Sequence, residues 1–109
     1  MPVRDLLDVG MVVGLGTDSL ASSESLNFLD EIRAAEEMLV GVSREEILRM
    51  ATRGGAETIG MDCGVIEKGR PADLTGFRLR GQFDDWYSVP FESGRYEADF
   101  VMMDGKKVF

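Results

Sequence analysis

Few residues in this chain have the chemical capacity for a reaction. Asp18 lies in the polar stretch Gly16-Thr17-Asp18-Ser19, directly after an apolar run, and Ser22 follows three residues later. By spacing alone these are helix-capping and turn residues, since short oxygen-bearing side chains bond neighbouring backbone N–H groups. Cys63 is the only cysteine, so no internal disulfide forms, and with no histidine to activate it the thiol reads as structural. The glycines between Gly64 and Asp73 lack the Gly-Lys-Ser/Thr ending of a phosphate loop and read as a turn between two strands. The chain contains no histidine at all. A Ser-His-Asp triad, a Cys-His pair and a histidine-rich zinc site are therefore beyond its own residues.

The remaining candidates are surfaces. Phe83, Trp86, Tyr87 and Phe91 cluster in an acidic stretch, where aromatic side chains serve as binding anchors or, the reading preferred here, pack over the open end of a small sheet. Phe100 to Met103 form an apolar terminal segment that invites self-association. Twelve basic against twenty acidic residues give a net charge of −8, which repels phosphate backbones and anionic lipid, so neither nucleic acid nor membrane is an expected partner. No N-terminal run combines basic residues, a long apolar stretch and a cleavage site, and the cytoplasm is the expected compartment.

The elements that must position these residues fit one small domain, because 109 residues are far short of the roughly 250 of a complete α/β barrel. Pro2 to Asp8 reads as a short helix stopped by Gly10. Met11 to Leu15 is a nearly continuous apolar run, the pattern of a strand buried on both faces. A helix is expected from Ser25 to Leu39, with Leu26, Leu29, Ile32, Ala35 and Met38 on one face and Gly41 as terminator. Ser43-Arg44-Glu45-Glu46 is a capping box opening a further helix. Thr52 to Gly55 interrupts that pattern, and Ala56 to Ile59 adds another turn or two. Val65-Ile66, Asp73 to Leu79 and Asp99 to Met103 read as strands. Asp104-Gly105 then signals a hairpin into Lys106 to Phe109, and Gly81 to Glu97 reads as an irregular loop. A buried strand at Met11 to Leu15 needs neighbours; the late strands, a second copy, or barrel strands of a larger protein would each supply them.

Four groups of residues, in order, carry a family resemblance. They are Gly14-Leu15-Gly16-Thr17-Asp18-Ser19-Leu20-Ala21-Ser22 with Leu29 to Ala35; Met50-Ala51-Thr52 with Gly55-Ala56; Gly64, Ile66, Glu67, Gly69 and Pro71 to Leu74; and Val101, Asp104-Gly105-Lys106 and Val108. Together they resemble the C-terminal part of the metal-dependent amidohydrolase superfamily, most closely its cytosine-deaminase and chlorohydrolase-like branch, which includes adenosine- and aminofutalosine-type deaminases. The resemblance implies a mixed α/β architecture. Residues 1–60 would form the last strand-helix unit of a TIM-type barrel and its helices, and residues 61–109 a segment of a small, mainly antiparallel β-domain.

It also implies a chemistry for the parent: hydrolysis of a C–N or C–halogen bond, with deamination of a nucleobase-like ring as the leading choice. Asp18 matches the aspartate that ends the eighth strand, and so would be both ligand to a divalent metal, zinc or iron, and acceptor of a proton from the attacking water. Ser19 and Ser22 would contact substrate. The family's histidine ligands have no counterpart here, and one carboxylate does not hold a catalytic ion in sites that usually offer about three protein ligands. The expectation is thus a fragment silent by itself, without metal, that meets its small-molecule substrate only in a complete enzyme. Its partner would be the absent N-terminal barrel portion or a second copy of itself. The competing expectation is an independently folded, non-catalytic dimeric module.

Overall fold

The computed structural model describes residues 2–16, 28–92 and 96–108. Helix α1 (Val3–Asp8) follows Pro2, which sits at the cap in extended conformation. It closes as a Schellman motif: Gly10 takes φ +83°, its N–H bonds the Leu7 carbonyl, and the Met11 N–H bonds the Leu6 carbonyl. Helix α2 (Phe28–Met38) keeps the expected apolar face, burying Ile32 and Ala35; the expected start at Ser25 lies outside the described residues.

The capping box forms as read. The Ser43 hydroxyl accepts the Glu46 N–H at 3.1 Å, and the Glu46 carboxylate accepts the Ser43 N–H at 3.1 Å. It opens α3 (Arg44–Arg49), and here the structure departs from the expected interruption. The chain passes through a π-helical turn (Met50–Gly54) directly into α4 (Gly55–Thr58) with helical angles at both glycines. Glycine is a poor helix former, yet the helix runs on because packing outweighs propensity. A second Schellman motif, with Gly60 at φ +72°, ends it.

The sheet is antiparallel in the order β1 (Leu74–Leu79), β2 (Tyr96–Met103), β3 (Lys106–Lys107). Asp104 and Gly105 at φ +49° and +78° give the tight turn that the Asp-Gly pair predicts. A bulge between Gly76 and Phe77 shifts the register from Gly76↔Phe100 to Phe77↔Ala98, and the Phe100 ring lies where a Cβ on Gly76 would stand, 2.1 Å away. Val65-Ile66 is not a strand: Ile66 is exposed, and residues 61–73 lead from α4 to β1 through a turn at Glu67–Arg70. The Gly64–Asp73 stretch therefore joins a helix to a strand rather than two strands.

Gly81 to Glu97 is more ordered than its composition suggests. Asp85 accepts the Tyr87 N–H at 3.0 Å and opens a 3-10 helix (Trp86–Phe91), and β2 already begins at Tyr96. Trp86, Tyr87 and Phe91 do not pack over the sheet end as expected. Phe91 instead joins Ile32, Ala35 and fully buried Ile47 in the core between α2 and α3, while Trp86 and Tyr87 remain exposed. The Arg44 guanidinium lies 4.9 Å above the Phe91 ring, and the Tyr96 hydroxyl ties the two halves together, accepting from Arg33 at 2.9 Å and donating to the Pro90 carbonyl at 3.1 Å.

Ile47 has 0% exposure and touches side chains from both halves of the chain. Ile47→Ala removes methyl groups that no rearrangement of a core this small replaces, and its expected cost is about 2–5 kcal/mol. Urea unfolding by circular dichroism measures it, with Trp86→Ala, at an exposed position, as the neutral comparison.

Candidate functional site

The sequence-predicted site residues Asp18, Ser19 and Ser22 lie outside the described residues. The structure does describe the segment that leads to them. Residues 11–16 run along the Met50–Thr58 helical turns, and among the described residues they form no strand ladder. Met11 and Val12 are 55% and 52% exposed, and only the side toward the helices is covered. The apolar pattern was that of a strand, but a ladder needs neighbouring strands, which the other described residues do not supply.

Two clefts flank this segment. One, of about 360 Å³, lies between α1 and α3 and is lined by Leu7, Met11, Val12 and the charged rim Arg4, Glu46 and Arg53. The other, of about 480 Å³, is lined by Leu15, Gly16, Thr52, Ile59 and half-buried Cys63. The rim charges of the first cleft are already satisfied. Arg4 donates to both Glu46 oxygens at 2.8 Å and to the Gly41 carbonyl at 3.2 Å and pairs with Asp8 at 2.8 Å, while Arg53 pairs with Glu57 at 3.2 Å. The Ser43 N–H and the Arg4 guanidinium hold the Glu46 carboxyl below its ordinary range, and Asp8 and Glu46 raise Arg4 further. Arg4 thus fastens α1 to the cap of α3, a role its sequence position did not signal.

A catalytic divalent ion would need a convergent donor set. Among the described residues no three His, Cys, Asp or Glu side chains come together, and the sequence has no His. The described residues do not fit a metal centre. No helix among the described residues is long and apolar enough to cross a membrane.

What the described residues do build is a seat for the segment before Asp18. The Leu15 N–H bonds the Met50 carbonyl at 2.9 Å. A Cβ on Gly54 would stand 2.4 Å from the Val13 carbonyl oxygen, and one on Gly14 would stand 2.7 Å from Thr58 Oγ1 and 3.0 Å from Gly55 Cα. Backbone meets backbone here because all three positions lack a side chain. The Gly54-Gly55 pair was visible in the sequence but read as a break.

A mixed fold of helices and a small antiparallel sheet, with an apolar segment seated on a helix, defines the class. Residues 1–108 match the amidohydrolase family, and the chain belongs to that family. It is 39% identical over 121 residues to a 5-methylthioadenosine/S-adenosylhomocysteine deaminase of Pelotomaculum thermopropionicum, covering 98% of this chain and 28% of that protein. Over 82 residues it is 44% identical to the protein of that name from Natronomonas pharaonis, covering 67% of this chain and 19% of the relative. The crystal structure of Helicobacter pylori aminofutalosine deaminase superposes with a TM-score of 0.84 at 30% identity, over 100% of this chain and 28% of that one. The chain thus spans between about a fifth and somewhat over a quarter of the length of these relatives.

The Arg4–Glu46 pairing sets a pH dependence. Because the folded-state value of Glu46 is lowered, its contribution is present above the ordinary glutamate range near 4.5 and fades as pH falls through the lower folded value. Urea midpoints of the parent and Glu46→Gln, compared from neutral pH downward, should differ at neutral pH and converge below 4.5.

Proposed function

We propose that these 109 residues are the C-terminal segment of a metal-dependent deaminase acting on an adenine-bearing nucleoside, and that they do not turn over substrate alone. In this reading residues 1–60 are the end of the barrel and residues 61–109 a segment of the small β-domain. Met11 to Leu15 is the last barrel strand, Asp18 carries the carboxylate at its end, and Ser19 and Ser22 face substrate. The observation that carries it is 39% identity across 98% of the chain to a relative named for 5-methylthioadenosine and S-adenosylhomocysteine deamination. The exposed, unladdered Met11-Val12 segment supports it, since a strand patterned for two buried faces has one bare. The overall reaction is the replacement of an aromatic amine by oxygen, consuming water and releasing ammonia. A divalent ion, zinc or iron, belongs to the family expectation, and its donors lie outside the described residues of this chain.

The test is a chimera in which these 109 residues replace the matching segment of the Pelotomaculum relative. The chimera should release ammonia from 5-methylthioadenosine or S-adenosylhomocysteine, its Asp18→Asn variant should not, and the 109 residues alone should not. A folded but inactive chimera, or turnover by the segment alone, rejects the reading.

A second reading, a dimeric non-catalytic module, is favoured by the same bare surface at Met11 and Val12. Sedimentation analysis separates the two: a concentration-dependent dimer abolished by Val12→Lys is its signature, and a monomer across the range excludes it.

A further inference from the structure

Glycine inside a helix costs about 1 kcal/mol relative to alanine, so two adjacent ones require a local reason. Backbone conformation is not the reason: Gly54 has φ and ψ of −61° and −43° and Gly55 −60° and −45°, angles any residue adopts. Space is the reason at Gly54, where a Cβ would stand 2.4 Å from the Val13 carbonyl oxygen; at Gly55 a Cβ would meet only the Met50 carbonyl oxygen at 3.3 Å, while one on Gly14 would stand 2.7 Å from Thr58 Oγ1 and 3.0 Å from Gly55 Cα. The seat coincides with the π-helical turn, a widening found mostly as single turns and often at functional sites. At its head the Met50 carbonyl takes the Leu15 N–H. Three constraints therefore act on three successive residues, Val13, Gly14 and Leu15, and together they fix their height along the helix and their rotation.

We propose that the π-helical turn and its glycines, Gly54 above all, are a positioning device that fixes the register of residues 13–15, and that turnover in the complete deaminase depends on that register. Gly14, Gly54 and the Met50 carbonyl are positioning groups, since none of them touches substrate. The inference deepens the deaminase reading and rests on it, but the seat itself is measurable without any activity.

The first measurement is amide hydrogen exchange on the 109-residue chain. Gly54→Ala should speed exchange at the Leu15 amide at least about tenfold while amides of the β1–β2 ladder keep their rates, as expected for a local opening. Should Gly54→Ala fail to fold, Gly14→Ala takes its place. Its clash is nearest to Thr58 Oγ1 at 2.7 Å, so Gly14→Ala/Thr58→Ala should recover part of the lost protection, a coupling that independent sites do not show. The second measurement is kinetics in the chimera. There Gly54→Ala should lower kcat about 100-fold with KM nearly unchanged, the mark of a misplaced reacting group, whereas Phe77→Leu, which loosens the sheet away from the seat, should not. Unchanged Leu15 exchange in a folded Gly54→Ala overturns the seat. Faster exchange with parental kcat overturns the link to turnover. A chimera without any turnover removes the deaminase reading and the link with it, while the exchange result still decides the seat.

Discussion

The helical run from Arg44 to Thr58 has to accept neighbours on every side, and the rest of the molecule is arranged by how it does so. At its start Arg4 from α1 grips the capping box. One turn in, Ile47 meets α2 and Phe91. At the π-helical turn, residues 13–15 press on one side, and Gly64 approaches from another, at φ +87° with its Cα so close that a Cβ would stand 2.7 Å from the Thr52 carbonyl oxygen. Each contact uses different physics: ion pairing at the cap, apolar burial in the middle, and absence of side chains at the end. The order matters, since only the last brings backbone against backbone, and only there does the helix depart from α geometry.

Much of this was legible in the residues. The Ser43–Glu46 box, the amphipathic face carrying Ile32 and Ala35, and the Asp104-Gly105 hairpin all appear where their local chemistry places them, because each depends on neighbours close in sequence. The failures share the opposite property. Gly54-Gly55 reads as a break unless one knows that the Val13 carbonyl needs the room. The Trp86–Phe91 turn is too short to show a period, and the destination of Phe91 depends on a helix more than forty residues earlier. As for the candidate site, Asp18, Ser19 and Ser22 were read from a family pattern and lie outside the described residues; the seat that leads to them emerged only from the distances around the glycines.

Charge and surface fit together with the family assignment. With a net charge of −8, the acidic excess is spread along α1, α2 and the 3-10 region, while arginines concentrate in local pairs. Such exposed pairs add little stability each, and the burden of holding the fold falls on a core of a few residues around Ile47. A domain this small with Met11 and Val12 uncovered is poised between folding alone and folding against something larger.

The sandwiching of one helical turn between residues 13 and 64 also governs where the chain can change length. Adding or deleting one residue between Ser43 and Thr52 rotates the π-helical turn by about 100° relative to the cap, turning Gly54 away from Val13 and Thr52 away from Gly64 together. Neither neighbour can follow, for each is tied to a different part of the fold. Between Leu79 and Tyr96 the described anchors gather at one end, where Phe91 enters the core and the Tyr96 hydroxyl bonds the Pro90 carbonyl. A change of length is therefore better absorbed before β2 than ahead of or within the π-helical turn.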